Sequence, residues 1–222
     1  MYDKLIGFDF ETTGTDPETA RIVSANITVR DLTRKEDDIV LNWLIDPGVD
    51  IPEDATAVHG ISTEYARYYG EQPERALRDI AQTLDELYAG GGTLVVFNAG
   101  YDLPLLNNEL ARYGLLPTTD YQRVIDPLVI DRAMDKYRKG KRTLTAMCPV
   151  YGVRVSLDAH DAKADVAMTL QLAEAMLRRF DFPDNEDDLY RFQRNAHRVW
   201  ADNFGNWLRS QGKQDNVDRD WI

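Results

Sequence analysis

Apolar and polar positions alternate in two regimes along the chain. Leu5-Ile6-Gly7-Phe8-Asp9-Phe10 is a short apolar run stopped by Thr12, Thr13 and Gly14. Arg21 to Arg30 alternates, with Ile22, Ile27 and Val29 among polar residues, and Ile39 to Ile45 is a third run closed by Asp46-Pro47-Gly48. Runs of this length between turn residues predict strands, here an antiparallel meander of three. From Glu74 to Tyr88 the period lengthens, and Leu77, Ile80, Ala81, Leu84 and Leu87 fall on one helical face. Gly90-Gly91-Gly92 ends that helix, and Thr93 to Phe97 reads as a buried strand. Leu103 to Tyr113 is helical up to Gly114, Val124-Ile125-Asp126 is a short strand, and helices follow over 143–151 and 161–179. A meander followed by strand–helix alternation predicts an α/β fold: a mixed sheet, three antiparallel strands and then parallel ones, with flanking helices.

The pattern changes again at Asp181. Phe182-Pro183-Asp184-Asn185-Glu186-Asp187-Asp188 reads as a connection, and a long helix follows with Leu189, Phe192, Ala196, Val199, Phe204 and Trp207 near one stripe. Residues 1–180 therefore form the main domain and 181–222 a C-terminal helical extension. The stripe needs a surface to cover it, either the main domain or a partner, and self-association through this helix is open.

Composition narrows the classes. With 26 Lys+Arg and 38 Asp+Glu the formal net charge is −12, a poor basis for sequence-blind coating of nucleic acid. A single cysteine, Cys148, excludes an intrachain disulfide or a multi-Cys zinc site. No run approaches a membrane span, and the first residues lack a secretory pattern, so a cytoplasmic protein without membrane contact is expected. Charge is uneven: Arg132 to Arg154 holds Arg132, Lys136, Arg138, Lys139, Lys141, Arg142 and Arg154 against Asp135 alone. That stretch is either a solvated surface or a phosphate-attracting patch.

Chemistry enters through acids at element ends. Asp9 and Glu11 are two apart on a strand, so they share a face, where two carboxylates repel unless a cation lies between them. Asp102 follows a strand at a strand-to-helix corner, where a lone Asp reads as an N-cap and an α/β sheet places ligands. Asp165 lies beside the core stripe Val166, Leu170, Ala173, Leu177, with His160 on the loop entering that helix. Each feature alone is ordinary. Four acids and an imidazole together suit phosphodiester hydrolysis with two divalent ions, the imidazole taking the proton of the attacking water.

With those residues in view, the sequence resembles a known family. Phe8-Asp9-Phe10-Glu11-Thr12-Thr13-Gly14, Phe97-Asn98-Ala99-Gly100-Tyr101-Asp102 and His160-Asp161-Ala162-Lys163-Ala164-Asp165 look like the three motifs of the DEDDh 3′–5′ exonucleases, in order, and Val58-His59-Gly60-Ile61 resembles a substrate-side segment. The family includes the proofreading epsilon subunit of bacterial replicative DNA polymerase. The resemblance covers residues 4–178; beyond 182 the chain looks, more loosely, like extensions of stand-alone exonucleases of actinobacterial and phage type. It implies an RNase H-like fold and release of 5′-mononucleotides from single-stranded 3′ ends, DNA favoured over RNA. It also implies two divalent cations, Mg²⁺ with Mn²⁺ able to substitute, on Asp9, Glu11, Asp102 and Asp165, and His160 as general base. Phe10, Thr12, Thr13, His59, Asn98 and Tyr101 become the substrate-side residues, with a polymerase as a possible partner. Phe97 stands where many relatives carry His. An RNA exonuclease of oligoribonuclease or RNase T type shares the same five catalytic residues and stays open. So does a D-x-D phosphatase, which leaves His160 and Asp165 unexplained, and a catalytically silent binding module, against which all five residues argue.

Overall fold

The computed structural model describes residues 2–34, 36–156, 161–183 and 185–222. Five strands form one sheet in the order β3-β2-β1-β4-β5: β1 (Lys4–Thr12), β2 (Ile22–Asp31), β3 (Ile39–Leu44), β4 (Thr93–Val95) and β5 (Val124–Ile125). β1/β2 and β2/β3 pair antiparallel, while β4 and β5 run parallel to β1. This is the mixed sheet expected from the meander and the later alternation.

Helices cover both faces. α1 (Glu53–His59) and α2 (Thr63–Tyr69) are short, and α3 (Pro73–Ala89) and α4 (Ala99–Arg112) are long. α5 (Pro127–Met134) follows β5 directly, and α6 (Leu144–Met147) runs on into a 3₁₀ turn, Cys148–Tyr151. α7 (Ala162–Arg179) and α8 (Glu186–Ser210) complete the set. Alternation along β1 divides the core. Ile6, Phe8 and Phe10 face α3 and α4, packing with Leu77, Ile80, Leu84, Leu105 and Leu106. Leu5 faces the other side with Val166, Leu170 and Leu172 of α7. Period-two strands between amphipathic helices give this three-layer arrangement.

Three helices lie outside the sequence expectation. α1 buries none of its residues and α2 only Ala66, so neither carries a stripe. In α5, Pro127 to Asp131 are all buried, leaving no periodicity to read. Its signal was local: Asp126 caps it and Pro127 occupies the first turn. α4 begins four residues before the expected start, so Asp102 stands inside its first turns and is not its cap; Asn98 is, with φ 69°.

The C-terminal extension divides into two halves. Leu189 and Phe192 pack with the α7-side core. Gln193, fully buried, accepts from Asp126 N–H at 2.8 Å and donates to Val124 O at 2.7 Å. The chain then returns, and Trp221 enters the α4-side core beside Tyr190. Val199, Phe204 and Trp207 remain exposed, at 49%, 37% and 50%. The same-chain core thus covers the first half of the stripe and leaves the second uncovered. Among the described residues no helix is long and apolar enough to cross a membrane.

Candidate active site

The carboxylates meet where β1 outruns β4. β1 pairs with β4 only from Leu5 to Gly7, so the strand beyond Gly7 has no neighbour on that edge. Asp9 and Glu11 project there on the face of Gly7, which is turned toward α7. A Cβ at Gly7 would stand 2.7 Å from Val166 Cγ1 and 2.9 Å from Leu170 Cγ, so glycine is what lets α7 lie against the strand. That contact carries Asp165, one residue before Val166, to the acid pair. Carboxylate oxygens of Asp9, Glu11 and Asp165 all lie within 4.8 Å of one another. All three residues stay partly open to solvent.

Asp102 approaches from the opposite side. It is 4% exposed, and the Phe10 backbone N–H helps hold its charge. It stands outside the close trio, yet near enough to raise the pKa of Asp9. Burial pushes Asp9 well above the usual carboxylate range, and Asp102, Glu11, Asp165 and Asp161 push it further. Burial, then Asp165 and Asp161, lifts Glu11 to about 8. Asp102 is raised by burial and by Asp126. Burial and the mutual repulsion of these acids are what a bound cation would relieve. Oxygen-only donors at this spacing fit a hard divalent ion.

A second acid escaped sequence reasoning. Asp126, 1% exposed, accepts from Asn98 N–H at 3.1 Å, Ala99 N–H at 3.0 Å, Leu128 N–H at 2.9 Å, Val129 N–H at 3.3 Å and Trp221 Nε1–H at 3.1 Å. It ties the Asn98–Asp102 corner to α5 and to the C-terminal segment. Burial outweighs these donors and keeps its pKa raised. Asp161, whose charge reaches both Asp9 and Glu11, was likewise read only as part of a motif.

The substrate-side candidates fare differently. The Tyr101 hydroxyl donates to Gly14 O at 2.5 Å and lies 3.0 Å from Thr12 Oγ1, which also donates to Gly14 O. Thr13 Oγ1 accepts from Arg21 N–H at 2.9 Å, fastening the loop to β2. His59 Nδ1 accepts from Ile61 N–H at 3.1 Å, and burial lowers the ring's pKa. Asn98 is exposed, its backbone left-handed. Phe10 is not brought to the carboxylates: its ring is 6% exposed, on the other face of β1, 5.5 Å from Phe8. His160 lies outside the described residues.

The basic stretch is partly structural. Arg138 and Arg142 both bind the fully buried Asp131, Arg138 through Nη2 at 2.9 Å, and Tyr151 donates to the same carboxylate at 2.7 Å. Arg142 is therefore a clamp on α5 rather than a free phosphate contact. Among the described residues Arg132, Lys136, Lys139, Lys141 and Arg154 form no ion pair.

A family model described as Exonuclease, of RNase T type, matches residues 6–173. The chain belongs to this exonuclease family. It is 31% identical over 178 residues to the DNA polymerase III subunit epsilon of Rickettsia prowazekii, covering 76% of this chain and 71% of that protein. An uncharacterised exonuclease of Escherichia phage 186 is 30% identical over 188 residues, covering 80% and 90%. The fold matches E. coli exonuclease I in complex with a dT13 oligonucleotide, with TM-score 0.67 and 20% identity over 80% of this chain but 41% of that one. It also matches the nuclease domain of 3′hExo, a DEDDh family member, bound to rAMP, with TM-score 0.67 and 16% identity over 80% and 93%. The exonuclease is a nuclease and a hydrolase, and its acid cluster suits the divalent metals such enzymes use.

Proposed function

We propose that this exonuclease hydrolyses phosphodiester bonds at the 3′ end of DNA, releasing 5′-mononucleotides, in proofreading or repair in the cytoplasm. The observation that carries the reading is the convergence of Asp9, Glu11 and Asp165 within 4.8 Å, at an open strand end flanked by Asp102. The epsilon-subunit relatives and the dT13 complex of exonuclease I support DNA as the substrate. Asp9, Glu11, Asp102 and Asp165 would hold two divalent cations, Mg²⁺ with Mn²⁺ able to replace it. When bound, such ions supply Lewis-acid stabilisation of the phosphoryl oxygens and a water of lowered pKa. His160, two residues before Ala162 in the sequence, takes the proton from the attacking water. Thr12, Thr13, His59, Asn98 and Tyr101 form the rim that meets the terminal nucleotide, and Phe10 contributes through its backbone beneath Asp102. Residues 1–180 act as the exonuclease domain, with 181–222 as an extension docked on it.

The rAMP complex of 3′hExo favours one second reading, an exonuclease acting on RNA. It differs in accepting a 2′-hydroxyl on the terminal sugar. The test is digestion of 5′-labelled single-stranded DNA, duplex DNA with a 3′ mismatch, and RNA, side by side with Mg²⁺. Shortening of both DNA substrates from the 3′ end, with mononucleotide release, is expected. Preference for RNA would replace the first reading with the second, and full activity in excess EDTA would overturn both.

A further inference from the structure

α5 and α8 pack together near Gln193 and then part, leaving a groove of about 490 Å³ lined by Arg132, Lys136, Phe192, Asn195, Val199 and Trp200. The Arg132 guanidinium lies 3.5 Å over the Trp200 ring. From Trp200 the aromatics continue along α8 in one stack. Trp200 and Phe204 have centroids 5.4 Å apart and planes 13° apart, and Phe204 and Trp207 are 5.6 Å and 14° apart. The far end is open, with Trp207 50% exposed and Lys213 Nζ 5.8 Å from its ring. An exposed run of stacked rings is costly in water and contributes nothing to the core.

Its surroundings say what would cover it. Arg132, Lys136 and Lys213 make no ion pair among the described residues, unlike Arg138 and Arg142, which are held by Asp131. Burial lowers the pKa of Arg132, against the opposing pull of Asp126. The acids nearest the stack along the chain are already occupied: Asp202 by Arg219, and Asp215 by Arg209 and Arg219. The surface therefore offers an aromatic stack open at Trp207, cations without ion pairs at both ends, and Asn195 and Asn203 along the groove. An apolar helix of a partner would satisfy the rings and strand the cations. A duplex would satisfy the cations and keep its base faces hidden. Single-stranded nucleic acid presents π-faces and phosphates together.

We propose that the α5–α8 groove and the Trp200–Phe204–Trp207 stack form a second contact for single-stranded nucleic acid, separate from the carboxylate site, with bases on the rings and phosphates on Arg132, Lys136 and Lys213. It rests on the proposed function only in taking that strand to be the substrate's own. The test uses the full chain in EDTA, where nothing turns over. Titration with a single-stranded oligodeoxyadenylate of about 20 nucleotides should quench tryptophan emission, because Trp207 is half exposed and Trp200 partly so, while Trp43 and Trp221 are buried, 8% and 2% exposed. Trp207→Ala, at an exposed position, should weaken binding about tenfold or more. Lys136→Ala with Lys213→Ala should flatten its salt dependence. No quenching, or variants that bind like the parent, would overturn the proposal. So would concentration-dependent self-association abolished by Trp207→Ala, which assigns the face to a second copy. Metal-dependent cleavage of a dinucleotide, measured separately, keeps the two readings apart. Cleavage without quenching sinks the groove alone, and quenching without any cleavage sinks the proposed function alone.

Discussion

Glu11 shows how far a single side chain can be moved by its neighbours. In the metal-free fold it keeps its proton up to about pH 8, whereas in the unfolded chain it releases it near the ordinary value of 4.5. Between these limits the native state binds the extra proton, so stability falls as pH rises through the window. Thermal unfolding in EDTA should show the melting temperature dropping from roughly pH 5 to pH 8, and the drop should shrink in Glu11→Gln. Metal binding demands the ionised form, so calorimetry at neutral pH in buffers of different ionisation enthalpy should show protons released as Mn²⁺ binds. Asp9→Ala and Asp165→Ala should abolish turnover yet melt higher than the parent without metal, since each relieves a like-charge cluster. A lower melting point in both would mean that these acids serve the fold instead. His160→Ala should keep metal affinity and lose roughly 10²–10⁴-fold in rate, along with the acid limb of the pH profile. The acids at 9 and 11 were legible because strand alternation fixes their shared face. Asp126 was not, because three of its donors, Asn98, Ala99 and Trp221, lie far off in sequence, and an Asp before a Pro looks the same whether it caps a helix or also anchors a corner.

Among the elements, the long helices were readable from period, since α3 and α7 each have a buried face and an open one, while β1, covered on both faces, was readable as an apolar run ended by turn residues. α1 and α2 have almost no buried face, and α5 has almost no open one, so their periodicity vanishes for opposite reasons. The start of α4 was misplaced because Asp102 read as its cap, while the helix in fact contains it. The contact between β1 and α7 is the element-scale event that builds the site, and Gly7 is its narrowest point. Gly7→Ala should cost about 1–3 kcal/mol as Val166 and Leu170 are pushed aside. Because Asp165 rides on the displaced helix, Mn²⁺ affinity should fall too. A stable variant with unchanged affinity would show that α7 yields without moving its first turn.

For the molecule as a whole, the extension and the main domain share one core. Deleting residues 181–222 removes Leu189, Gln193 and Trp221, each at most 2% exposed, so the melting temperature should fall steeply. Trp221→Phe is the finer probe. It keeps most of the packing and loses the bond to Asp126, so it should cost about 1–3 kcal/mol and lower turnover through a looser Asn98–Asp102 corner. Equal melting points for Trp221→Phe and the parent would show that the indole N–H contributes nothing. The same contact bears on how the protein is born. Synthesis is vectorial, and the amino-terminal residues leave the ribosome first. Asp9, Glu11 and Asp102 thus emerge long before the indole that steadies their neighbour, and Gly100 has no Trp221 backbone to lie against. A nascent chain that already carries Asp9, Glu11, Asp102 and Asp165 would still have an unfinished Asn98–Asp102 corner until Trp221 arrives to close it.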